Sequence, residues 1–220
     1  MKPLVKAALA AFLVAFVIAV VLVAVHQSHV ALRHRALTAL QDKQKEIRAL
    51  ELRVANFVIT YHDATAAGAK ASQARHDRAM ADADNSELLS LAKNEASSVT
   101  RAENVTQQME DTSMTLAADY SDAGISSGTF QSESAARHDS CESALADWQR
   151  GIDDIKDSLK ASISGDYPDD NAGVEGYYSA SEHEDIQCDR RTSNVLSEME
   201  KLEASLTARI RTSALTEHAF

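Results

Sequence analysis

The chain has 220 residues with 33 acidic and 22 basic side chains, a formal net charge of −11 at pH 7. A surface of that sign repels phosphate backbones, which argues against nucleic acid as a partner. Aromatics make up 5% of the residues, there are only 7 Gly and 2 Pro, and no run of alternating Val, Ile, Thr and Tyr occurs, so a sheet-rich fold is excluded and an all-α chain with long elements is expected.

The first element is an apolar run from Ala7 to Val25, 19 residues without a charge or a strongly polar group. A bilayer core of roughly 30 Å takes about 20 helical residues, so the length suits one transmembrane helix. Twelve of the 19 are Leu, Ile, Val or Phe, which gives roughly 4 to 7 kcal/mol in favour of insertion. A cleaved secretory signal has a shorter apolar core and a small-x-small site at its end. No Ala-x-Ala closes this run, so an uncleaved anchor is expected over residues 1–25. Basic residues flank it on both sides: Lys2 and Lys6 before, Arg33, Arg35, Lys43 and Lys45 after. Orientation therefore rests on the two cysteines, which suit an oxidising compartment. This places the N-terminus in the cytoplasm and the rest of the chain outside the inner membrane, in a periplasm-like space.

Past the anchor, His26, His29, Arg33, His34 and Arg35 form a polar collar suited to the headgroup level. Leu40, Ile47, Leu50, Val54, Phe57 and Tyr61 then fall on a and d positions of a heptad, a coiled-coil seam that predicts pairing with a second copy or with the chain's own helices. The seam thins into Ala64, Ala67, Ala71, Ala74 and Ala81, which bury little apolar area, and Gly68 weakens the helix further. A second seam runs through Leu88, Ala92, Val99, Ala102, Met109, Leu116 and Tyr120. Between the two, Asp84 and Glu87 have the spacing of a capping box. The region 26–122 is thus either one continuous stalk or two helices joined by a turn near 83–86.

Gly124 to Gly128 marks a break, after which Cys141, Leu145, Trp148, Ile152, Ile155 and Leu159 share one helix face. A long loop is expected over 164–181, with Ser181 and Glu184 as a capping box opening a last helix that carries Cys188, Val195, Met199, Leu202 and Leu206. This distal part, residues 123–220, holds most of the negative charge: residues 121–220 carry 9 basic and 20 acidic side chains. Cys141 and Cys188 both lie on apolar stripes. In an antiparallel hairpin with that loop they would sit roughly 24 Å apart along the axis, far beyond the about 7 Å that a disulfide tolerates. The bridge is therefore intramolecular if the loop runs back and the helices lie parallel; otherwise the cysteines link two chains or stay free.

No catalytic or cofactor signature is present. His138 with Cys141 and His183 with Cys188 would make a two-Cys, two-His metal site only if residues five apart shared a helix face, which they do not. The His-Asp pairs at 62–63, 76–77 and 138–139 lack a serine elbow, a Gly-rich phosphate loop or a His-Glu metal motif beside them. The sequence predicts no enzyme, no cofactor and no metal centre.

The uncleaved anchor at 7–25, the charged helical stalk with its seam at 40–61 and the distal cysteines at 141 and 188 together resemble the inner-membrane spanins of tailed phages. That resemblance implies a helical region crossing the periplasm, a disulfide-linked homodimer with Cys141 and Cys188 as the bridging positions, and an acidic far end that meets an outer-membrane lipoprotein to complete host lysis. A rival reading follows from a turn near 83–86. It gives four packed helices, and with them an extracytoplasmic module that binds a ligand or another envelope protein.

Overall fold

The structure, a computed structural model, describes residues 3–165 and 172–218, with side chains for 16–165 and 177–215. Four helices account for them: α1 (Pro3–Met80), α2 (Asn85–Asp122), α3 (Gly128–Ser164) and α4 (Ala172–His218). Among the described residues there is no strand. The all-α expectation holds.

The chain divides into two compact units, residues 1–45 with 205–220, and residues 46–204. In the first, α1 contains a stretch near its N-terminus long and apolar enough to cross a membrane, with mean hydropathy 1.7 and none of it buried in the protein. Phe16, Val17, Ile18 and Val20 to Val23 are all exposed there, as is the collar of His26, His29, Arg33, His34 and Arg35. Leu37 and Leu206 are buried in this unit, and Leu40 is half-buried.

The second unit has one core, drawn from every helix. Tyr61 and Ala64 of α1, Val99, Ala102 and Val105 of α2, Cys141, Leu145 and Ile152 of α3 and Cys188 of α4 pack together, with Phe57, Ala96 and Trp148 against them. The heptad seam is spent here: Ile47, Val54 and Tyr61 are buried and Leu50 and Phe57 half-buried by the chain's own helices.

The chain does turn between the two seams. α1 stops at Met80, Asp82 takes a left-handed backbone (φ 55°), and Asp84 caps α2 by accepting a hydrogen bond from the Glu87 amide at 2.9 Å. Only half of the expected capping box forms. The Glu87 carboxylate turns instead to Arg78, accepting from Nε at 2.6 Å and Nη2 at 2.9 Å, and so ties the end of α1 to the start of α2. Contacts from Arg75 to Glu95 and from Glu51 to Tyr120 continue the pairing, residue numbers falling along α1 as they rise along α2. The two helices run antiparallel, and the continuous 26–120 stalk is set aside.

The second break falls where the glycines predict it, with Gly124 at φ 74° between α2 and α3. α3 ends on Gly165 at φ 84°, whose amide donates to the Ala161 and Ser162 carbonyls, the left-handed stop that glycine favours. The expected loop at 164–181 is shorter than predicted. Residues 166–171 lie outside the described part, but α4 has begun by Ala172, and Ser181 is a buried position within it rather than its cap.

This correction also dissolves the distance problem of the cysteines. With α4 starting at Ala172, Cys188 lies about 24 Å into its helix and Cys141 about 35 Å before the end of its own, an offset of roughly 10 Å. Arg137 meets Thr192, Cys141 meets Cys188 and Gly151 abuts Tyr178, so α3 and α4 are antiparallel, not parallel. The bridge is intramolecular, with Cα atoms 4.8 Å apart, and no free cysteine remains.

Candidate functional site

The small residues of α1 leave space that its neighbours do not fill. A cleft of about 950 Å³ lies in the second unit, with Thr65, Ala66, Ala69, Ser72 and Gln73 of α1 along one wall. Tyr178, Ser181, Glu182 and Asp185 of α4 form the other, and Ala144, Leu145, Trp148 and Ile155 of α3 line it between them. A concave, mostly apolar space of this size with a few convergent polar groups is the usual form of a small-molecule site. His62 and His76 mark its two ends along α1, 14 residues or about 21 Å apart.

Beneath the cleft sits a polar cluster. Glu95 of α2 is fully buried (0% exposed). Its Oε1 accepts from Trp148 Nε1 at 2.7 Å and from the Tyr178 hydroxyl at 2.8 Å, while Oε2 lies 3.2 Å from Arg75 Nε and Nη2. Arg75 Nη2 also lies 3.1 Å from the Tyr178 hydroxyl and 3.3 Å from Ser72 Oγ. A buried carboxylate without such partners would be costly, so the four groups stand or fall together. Burial, then the negative charge of Glu95, pushes the Tyr178 phenol up, and it stays a donor.

Two glycines make room for the aromatic members. A Cβ on Gly68 would come within 2.8 Å of the Trp148 ring, and one on Gly151 within 3.0 Å of the Tyr178 ring. Gly68, which weakens α1 in isolation, is the passage for the chain's single tryptophan.

On the α4 wall, Asp185 accepts from the Tyr61 hydroxyl at 3.2 Å. Burial and the neighbouring Asp189 raise the Asp185 carboxyl above its usual range, against the lowering effect of Tyr61 and His62. Tyr61 Oη lies 3.3 Å from the Cys188 sulfur. Asp185, Asp189 and Cys188 offer ligand atoms within 4.8 Å of one another, but the sulfur is committed to the disulfide, leaving two carboxylates. The same bridge removes both sulfurs from any site with His138 or His183. Behind Tyr61 lies Arg137, 1% exposed, whose Nε donates to Thr192 Oγ1 at 3.2 Å and whose guanidinium carbon lies 5.4 Å from the Tyr61 ring centre.

Of the residues singled out from the sequence, Tyr61, Cys141 and Cys188 are brought together in the core beside the cleft, whereas Leu40, Ile47, Leu50, Val54 and Phe57 take no part in its lining. Sequence reading passed over Arg75, Glu95 and Tyr178. Compared with known proteins, the chain matches no family model, no curated protein and no solved structure.

Proposed function

We propose that the chain is a membrane-tethered ligand-binding module. Residues 7–25 anchor it in the inner membrane, the remainder lies on the extracytoplasmic side, and residues 46–204 form an up-down-up-down four-helix bundle that takes up a small molecule between α1 and α4. The cleft over the Glu95 cluster carries this reading. The cluster fixes Trp148 and Tyr178 from below, and a site held in shape before its ligand arrives loses less entropy on binding. A disulfide in the core suits an oxidising compartment and supports the orientation.

The spanin resemblance keeps less support. An interchain bridge has no cysteine left to make it, and beyond residue 46 the stalk seam is already covered by the chain's own helices. The acidic far end remains compatible with an envelope partner, without an observation that favours one.

The test is a chemically diverse small-molecule screen on the full chain in nanodiscs, read by thermal stability and Trp148 fluorescence. We expect ligands that stabilise wild type and fail against Ala69→Trp, which fills the cleft. A screen in which no compound shifts either signal rejects the reading. Protease digestion from the outer face of intact spheroplasts checks orientation, and protection of residues 26–220 there would reverse it.

A further inference from the structure

We propose that the cleft selects an organic cation, an amine or quaternary ammonium whose head sits at Glu182 and Asp185 and whose apolar body lies along Ala66, Ala69, Leu145 and Trp148. This rests on the reading of the cleft as a ligand site and adds the class of ligand.

The charge inventory of the cleft leads there. Its lining contains one Arg, no Lys and two His, His62 and His76 at its ends, and that Arg75 is already engaged by buried Glu95. Glu182 and Asp185 are then the acidic side chains of the walls, three residues and one helical turn apart on α4. Asp189 stands one turn further on, 4.0 Å from His62. Arg137 faces this group only from behind Tyr61. An anionic ligand would meet carboxylates on the open wall and no free guanidinium, whereas a cation would complement them.

The rest of the cleft suits the body of such a ligand. Tyr178 lies one turn from Glu182 and two from Asp185 on α4, and the Trp148 ring lines the cleft from α3 against Gly68 of α1, so aromatic rings border the space that a cationic ligand would enter. The α1 wall runs about 21 Å from His62 to His76, with Ala66 and Ala69 as its apolar members beside Thr65, Ser72 and Gln73, a length that suits an extended chain. Half-buried Asp185 accepts from the Tyr61 hydroxyl, and a cation would relieve the mutual repulsion of the carboxylates around it.

Three probes of one length and different charge decide the matter: hexane-1,6-diamine, hexane-1,6-diol and adipate, titrated onto the full chain in zwitterionic nanodiscs by calorimetry and Trp148 fluorescence, with empty nanodiscs as the blank. The diamine should bind at least about tenfold more tightly than the diol, and adipate should not bind. Glu182→Gln and Asp185→Asn should each weaken the diamine by about tenfold or more. Asp185→Asn should melt no lower than wild type, so its lost binding would not be lost folding. Diol or adipate binding as well as the diamine overturns the proposal while the cleft stands. The same holds if none of the three binds but the diverse screen still yields a ligand that Ala69→Trp excludes; if that screen is also empty, both readings fall. A response to calcium ions without one to the diamine would assign the carboxylates to a metal and likewise overturn it.

Discussion

Glu95 occupies a step that the second seam skips. Leu88, Ala92, Val99 and Ala102 advance by three or four if residue 95 is included, and the later gaps are filled in the same way by Thr106 and Ser113, all three buried. Reading the register through its polar members would have found Glu95, because a charge at a core step must have partners. Glu95→Ala leaves Arg75, Trp148 and Tyr178 without their acceptor and should lower stability by about 3 to 5 kcal/mol, measured from the denaturant midpoint. Glu95→Gln keeps one carbonyl and should cost about 1 to 3 kcal/mol. Equal losses for the two variants would refute the charged pairing with Arg75. Gly68→Ala tests the neighbouring contact. Helix propensity alone favours it by up to about 1 kcal/mol, but its Cβ meets the Trp148 ring at 2.8 Å. The indole is tethered to Glu95 and cannot swing freely, so we expect net destabilisation and an altered Trp148 emission. A simple gain in melting temperature would show that the ring has room.

Asp185 sets a pH dependence whose sign follows from its raised carboxyl. As pH rises through the carboxylate range, the unfolded chain gives up this proton before the folded one, so folding loses stability and stays penalised above the folded value. Asp185→Asn can still accept from Tyr61 and removes the penalty. Its melting temperature should exceed that of wild type at pH 7 to 8, with the difference closing below about pH 3, where the acid is protonated in both states. The lowered carboxyls of Glu87, Glu133 and Asp153 push stability the opposite way on acidification, but they are common to both proteins and cancel in the difference. A gap that widens in acid would contradict the assignment.

At the scale of elements, the helices were legible and their ends only in part. The glycine break at 124–128 and the Asp84 cap announce themselves through local chemistry, the one by a left-handed backbone and the other by a side-chain acceptor. Asp84→Ala should therefore cost about 0.5 to 2 kcal/mol, and an unchanged unfolding midpoint would show that the Arg78–Glu87 pair alone holds the turn. The start of α4 was misread because Ser181 and Glu184 have cap spacing, yet the helix is carried N-terminal to them. What holds it there is tertiary: Tyr178 packs on Gly151 of α3 and bonds to Glu95 of α2, neither of which a local window contains. The cleft was illegible for a related reason. The run of small residues after Tyr61 reads as weak packing, and only the positions of α3 and α4 turn that weakness into an open cleft.

For the whole molecule, the disulfide decides between a covalent pair of chains and a self-contained one. Its two cysteines are both 0% exposed and close a loop of 47 residues. In the chain-entropy account a loop of that length contributes about 4 kcal/mol. The Cys141→Ser/Cys188→Ser double variant should accordingly unfold at markedly lower denaturant, while wild type should run as a single-chain species on non-reducing gels and shift only in mobility on reduction. Burial adds a kinetic consequence. A reductant reaches the sulfurs only when the core of residues 46–204 opens, so the rate of reduction under native conditions should follow the opening of that unit and accelerate in Glu95→Ala, whose core is weakened at a distance from the bridge. Reduction at the same rate in both proteins would mean that the sulfurs are reached without opening the core. A covalent dimer on the gel would instead restore the interchain bridge that the resemblance to spanins implies.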